Sequence, residues 1–186
     1  MYFLFSLFCV NNVIYMKIFR FLLVLCGTFF ACMGLAGEID GMRFTHIGLE
    51  EGLSHSTIFG INQDKEGNLW FATYDGFNKY DGYNFTVYRH QYKNPKSIAS
   101  DITRCVVIDN DNRIWIGTRE GLSLYNHRKN EFSNFFYKKK GQNVTVRNIV
   151  PMQKDWLMLG TTEGILLFDV KGERFLNDTL SATLHS

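Results

Sequence analysis

The residues whose types could bind a metal or move a proton are five histidines, His46, His55, His90, His127 and His185, and an oxygen-rich run, Asp109-Asn110-Asp111-Asn112. The histidines show no metal-ligand spacing. The acidic run offers hard oxygens to a cation such as calcium. It lacks the glycine and distal glutamate of a helix-flanked calcium loop, and the equivalent stretch, Asp64-Lys65-Glu66-Gly67-Asn68, carries a lysine. A hairpin turn explains both stretches better, because Asp and Asn side chains bond to their own backbone and tolerate positive φ. No Gly-x-Ser-x-Gly or paired-carboxylate arrangement is recognisable, so no catalytic residue, metal or cofactor is assigned. The repeated carboxylates Asp75, Glu120 and Glu163 are the only source of acid and base for an enzymatic alternative, a polysaccharide lyase or hydrolase.

Cysteine and charge narrow the field further. Cys9, Cys26 and Cys32 lie in an apolar leader, which leaves Cys105 alone downstream and excludes an internal disulfide or a cysteine zinc site there. Within the apolar run 102–108, Cys105 reads as a small buried hydrophobe. Of the 20 basic residues, Lys17 and Arg20 are the only charges before Gly37, and the remaining basic residues balance the 18 acidic ones. A neutral chain has no field to attract nucleic acid, and Lys138-Lys139-Lys140 reads as a solvated turn.

From Met16 the leader has a basic start (Lys17, Arg20), an apolar stretch over 21–30, and small residues Gly34 and Ala36 spaced for signal peptidase. Residues 1–36 are therefore expected to form a signal helix cleaved after Ala36, with Met16 as an alternative start. Two other readings stay open: an uncleaved membrane anchor over 18–36, and a lipoprotein signal around Phe29-Phe30-Ala31-Cys32.

The elements that position the downstream residues repeat. DKEGNLWFATYDGFNKYDGYNF from Asp64, DNDNRIWIGTREGLSLYNHRKNEF from Asp109 and QKDWLMLGTTEGILLFDVKGERF from Gln153 superpose. Thr73, Thr118 and Thr161 align at spacings of 45 and 43, as do Gly76, Gly121 and Gly164, and then Tyr80, Tyr125 and Phe168. In the second unit Ile114 and Ile116 fall on one side of a strand while Trp115 and Gly117 fall on the other, the period of two expected between packed layers. Four short strands with tight turns at this period describe a β-propeller blade. The fold class is all-β, a partial propeller over 37–176 with three four-stranded antiparallel blades at 52–97, 98–143 and 144–176, then a tail over 177–186. Trp70 and Trp115 recur inside a strand and read as packing between blades rather than sugar platforms. Three blades cannot close a ring, so the chain reads as a truncated product or part of a split receptor, marginal, oligomeric or aggregation-prone on its own. A scaffold or remnant without function is a further alternative.

GNLWFATYDGFNKYDGYNF and NRIWIGTREGLSLYN resemble the two-component regulator propeller repeat, and RFTHIGLEEGLSHSTIFGINQD is similar to the opening of the sensor ectodomain of Bacteroidetes hybrid histidine kinases. The resemblance covers residues 42 to 176. The third unit departs from it, with Met158 where Trp70 and Trp115 stand and Trp156 two positions early. The resemblance implies a periplasmic receptor for oligosaccharide fragments, followed elsewhere by a membrane span and kinase. Its implied partners are the remaining blades or kinase polypeptide and a second copy in a homodimer. Propeller geometry places the segments leading into each innermost strand, and the turns between second and third strands, on one face. The candidate ligand residues there are His55, Tyr74, Asp75, Asp101, Arg119, Glu120, Arg147 and Glu163.

Overall fold

Asp64 and Asp109 start the folding pattern. Each acid follows an inner strand, and its carboxylate accepts hydrogen bonds from backbone N–H groups within the next four residues. Asp64 Oδ1 accepts from Asn68 N at 2.8 Å, and Asp109 Oδ1 accepts from Asp111 N and Arg113 N, both at 3.0 Å. The chain reverses there, with Gly67 (φ 90°) and Asn112 (φ 61°) in the left-handed region. The computed structural model describes residues 44–152 and 155–176, and every strand lies in the unit that begins at His46. The signal peptide and signal helix expected over 1–36, and the tail 177–186, lie outside the described residues.

Among the described residues there is no helix. The first sheet comprises β1 (Ile58–Gln63), β2 (Leu69–Thr73), β3 (Phe77–Tyr80) and β4 (Phe85–Tyr88). The second comprises β5 (Thr103–Ile108), β6 (Ile114–Thr118), β7 (Gly121–Asn126) and β8 (Glu131–Phe135). A small hairpin, β9 (Lys138–Lys139) with β10 (Gln142–Asn143), precedes the third, which comprises β11 (Val146–Met152), β12 (Trp156–Thr161), β13 (Gly164–Asp169) and β14 (Arg174–Leu176). In all three large sheets the strands run antiparallel in chain order. The lysine run is thus only partly a turn: Lys138 and Lys139 pair with Asn143 and Gln142, and Lys140 with Gly141 makes the reversal at positive φ.

The turn between second and third strands explains the aligned threonines and glycines. Thr73 Oγ1 donates to the Gly76 carbonyl at 2.8 Å, Thr118 Oγ1 to Gly121 at 3.0 Å and Thr161 Oγ1 to Gly164 at 2.7 Å. The same hydroxyls accept from the N–H groups of Asp75, Glu120 and Glu163. All three glycines have positive φ, which side-chain-bearing residues adopt at a cost.

The sheets stack face to face. Between the first and second lies a core of Trp70, Phe77, Val106, Ile114, Ile116 and Phe132; between the second and third, one of Trp115, Leu122, Ile149, Leu157, Leu159 and Phe168. Trp70 and Trp115 are 0% and 1% exposed, so they pack between sheets as their repeat position requires. On the far face of the third sheet Val150, Met152 and Ile165 are 41%, 49% and 65% exposed, with no neighbouring sheet among the described residues. The innermost strands β1, β5 and β11 lie side by side.

Candidate ligand site

One backbone hydrogen bond recurs in each of the three four-stranded sheets and shapes the site. Tyr74 N donates to Thr57 O at 3.2 Å, Arg119 N to Ile102 O at 2.9 Å, and Thr162 N to Thr145 O at 3.2 Å. Each bond ties a turn between second and third strands to the residue just ahead of the innermost strand. The Thr–Gly turns then hold Asp75, Glu120 and Glu163 at matching positions.

Around the second and third sheets this construction leaves two open clefts sharing a wall. One, of about 570 Å³, is lined by Arg119, Glu120, Lys139, Asn143, Thr145 and Glu163, among others. The other, of about 600 Å³, is lined by His90, Ser100, Asp101, Arg119, Glu120 and Phe136, with Asn143 between the two. Asn143 Nδ2 donates to Glu120 Oε2 at 3.1 Å, Lys139 Nζ lies 3.3 Å from Glu163 Oε2, and Thr145 Oγ1 donates to the Arg119 carbonyl at 2.9 Å. The β9–β10 hairpin thus supplies Lys139 and Asn143, which the sequence reading missed because nothing in the repeat marks that insertion.

A second patch surrounds the first sheet. The rings of His55 and Tyr74 are 5.5 Å apart, Tyr74 and Phe59 are 6.5 Å apart, and the Arg104 guanidinium sits 4.6 Å over Phe59. Tyr74 and Phe59 are 48% and 39% exposed, unlike the buried tryptophans. Phe59 and Arg104 were not expected here, because a strand bulge leaves no trace in hydrophobic periodicity. Asp75 pairs with Arg89 at 3.0 Å, and the hydrogen bond from that guanidinium holds its carboxyl below the usual carboxylate range.

The eight expected residues are therefore divided. Arg119, Glu120 and Glu163 share the first cleft, and Asp101, whose Oδ1 accepts from His90 N at 2.6 Å, joins Arg119 and Glu120 in the second. His55, Tyr74 and Asp75 belong to the aromatic patch. Arg147 is exposed on β11 and lines neither cleft.

Among the described residues one group has metal-ligand chemistry, Asp64, Glu66 and His127, with ligand atoms within 4.8 Å of one another. Asp64 is already engaged, since its two oxygens accept from Asn68 N, Asn68 Nδ2 and Trp70 Nε1. The donor set serves the turn, and no metal chemistry is derived from it. Burial pushes the Cys105 thiol up to about 12, which suits packing rather than nucleophilic attack.

Comparison with known proteins agrees with this architecture. The two-component regulator propeller family matches residues 52–75 and 97–120, spans that each contain a lead-in segment, two strands and the acid-bearing turn. The extracellular domain assigned to a hybrid two component system of B. thetaiotaomicron is 32% identical, with a TM-score of 0.64 over 74% of this chain and 20% of that one. A second B. thetaiotaomicron extracellular domain, assigned to a one component system, is 18% identical and shares the fold, with a TM-score of 0.60 over 79% of this chain and 20% of that one. Histidine kinase P4 of Formosa agariphila is 37% identical over 70 residues, which are 38% of this chain and 5% of that protein. The chain thus spans a fifth or less of the length of these relatives. Its first two repeats match the two-component regulator propeller family, and its all-β fold is shared with the extracellular domains of two-component systems.

Proposed function

We propose that this chain is a ligand-sensing stretch of propeller from a periplasmic two-component receptor, and that it binds carbohydrate fragments without converting them. The observation that carries this is the Arg119–Glu120 turn, the common wall of two clefts of about 570 and 600 Å³ edged by side-chain donors and acceptors. Those volumes suit small-molecule ligands, and hydroxyl-rich ligands need such paired donors and acceptors. Exposed Tyr74 and Phe59 add apolar ring faces for the C–H faces of a sugar.

Binding rather than catalysis is supported by the state of the repeated carboxylates. Asp75 is held by Arg89, Glu120 by Asn143 and Glu163 by Lys139, so each already has a donor partner. In this account the uncovered far face of the third sheet receives a further blade, and a ligand bridging two sheets biases the packing of a receptor dimer.

Calorimetric titration of the full chain with neutral and acidic oligosaccharides of two to six sugars tests the proposal. Binding is expected, weakened about tenfold by Arg119→Gln or Glu120→Gln, the loss of one charge-assisted hydrogen bond. A folded chain that binds none of them overturns it. Appearance of cleaved products by mass spectrometry would instead support an enzyme.

A further inference from the structure

The innermost strands share an irregularity whose chemistry changes from sheet to sheet. Pairing with the next strand slips between Ile58 and Gly60 in β1, between Thr103 and Cys105 in β5, and between Val146 and Asn148 in β11. Each slip leaves one extra residue outside the ladder: Phe59, Arg104 and Arg147. The first bulge is apolar and the next two are cationic, on neighbouring strands of the inner row.

The arginines of the described residues fall into two groups. Arg89, Arg113 and Arg174 each lie within 4.0 Å of a carboxylate, whereas among the described residues Arg104, Arg119, Arg128 and Arg147 have no such partner, and of these four only Arg104 and Arg147 sit on bulges of the inner strands. Arg104 Cζ lies over the Phe59 ring at 4.6 Å, a cation–π contact. Its Nε is buried and lacks an acceptor. A buried charged donor without an acceptor is costly, and a planar fork of this kind matches carboxylate or sulfate oxygens.

We propose that Arg104 and Arg147 form a subsite for a negatively charged substituent of the ligand, a carboxylate or a sulfate ester. The proposal rests on the carbohydrate-sensing function above and narrows its ligand to an acidic oligosaccharide. Phe59 and Tyr74 then face the sugar ring while the arginines hold its charge. The anion supplies the negatively charged partner that both guanidinium groups lack among the described residues.

The test is titration of the full chain with a trigalacturonate, a sulfated disaccharide and neutral cellotriose, each at low and high sodium chloride. One of the two acidic probes is expected to bind, and which one binds distinguishes carboxylate from sulfate. Binding should weaken with salt and fall about tenfold in Arg104→Gln and in Arg147→Gln, while Arg128→Gln on the outer loop leaves it unchanged. Arg147 is exposed, so its substitution does not threaten the fold. Arg104→Lys keeps the charge but loses the fork, and should recover only part of the affinity. If cellotriose binds as well as the acidic probes and the arginine variants match the parent, the anionic subsite is overturned and the sensing function stands. If the folded chain binds no oligosaccharide at all, both fall.

Discussion

The carboxylate of Asp109 accepts a hydrogen bond from Trp115 Nε1 at 3.0 Å while the same side chain closes the turn between them, and Asp64 does the same for Trp70 at 2.7 Å. Turn and inter-sheet core are therefore coupled through one acid in each of the first two sheets. In the third sheet both members are gone: ladder register puts Met152 at the position of Asp109 and Met158 at that of Trp115. A double-mutant cycle on Asp109→Asn and Trp115→Phe should show a coupling energy of about 1–2 kcal/mol, measured by urea unfolding. Additive effects would mean that turn and core are independent.

Acid stability follows from the same pair. Burial alone raises the Asp109 carboxyl, but hydrogen bonds from Trp115 and Arg113 outweigh it and hold the group below the ordinary carboxylate value; Asp64 is lowered in the same way by Trp70 and Asn68. A folded-state value below the unfolded one contributes stability that is fully present above the unfolded value, about pH 4, and is lost as pH falls through the folded one. The urea midpoint should be flat near neutrality and drop below about pH 4. In Asp109→Asn the drop should be shallower, so that the gap between variant and parent narrows as pH falls.

The threonine turns give a local test. Thr118→Val keeps the shape but removes both the donor to the Gly121 carbonyl and the acceptor for Glu120 N, and should cost about 1–2 kcal/mol. It should also weaken ligand binding beyond what the stability loss predicts, because Glu120 loses the turn that aims it. Retention of full affinity would mean that the hairpin bond from Asn143 positions Glu120 by itself.

These same turns show which parts of the molecule the repeat makes legible. Thr73, Thr118 and Thr161 stand out because their hydroxyls act within four residues, so the chemistry and the sequence spacing coincide. The Asp–Trp couple is harder to see, since the acid suffices to explain the turn and the indole to explain the core, and only the geometry joins them. Phe59 and Arg104 were invisible as a site. A bulge shifts one residue out of the alternation, and the stacking partners are 45 positions apart on different sheets. Lys139 and Asn143 belong to a hairpin inserted between repeats, where periodicity carries no information.

Equivalent glycines should respond unequally. A Cβ on Gly117 would collide with the Cys105 sulfur and stand 2.8 Å from the Val146 carbonyl of the third sheet, whereas at Gly160 the nearest atom is Asn148 Cβ at 3.4 Å. Gly117→Ala should therefore destabilise by about 1–3 kcal/mol through overpacking. Gly160→Ala should stay within about 0.5 kcal/mol, because its face has no covering sheet. Thermal melts of the two variants would show it, and equal losses would mean that both faces are covered in solution.

The same asymmetry predicts how the chain associates. Leu122 and Ile165 occupy one repeat position, paired with Gly117 and Gly160 respectively, yet Leu122 is 0% exposed and Ile165 is 65% exposed. Leu122→Lys buries an ammonium in an apolar core without a partner and should abolish folding, seen as loss of the β-sheet circular dichroism signal. Ile165→Lys leaves its charge in water and should preserve the fold. It also breaks an apolar face shared with Val150 and Met152, the kind of surface through which sheets pair. Sedimentation velocity should then show less self-association for Ile165→Lys than for the parent chain. Unchanged association would place the contact elsewhere, on the first sheet, where Ile61 is 57% exposed.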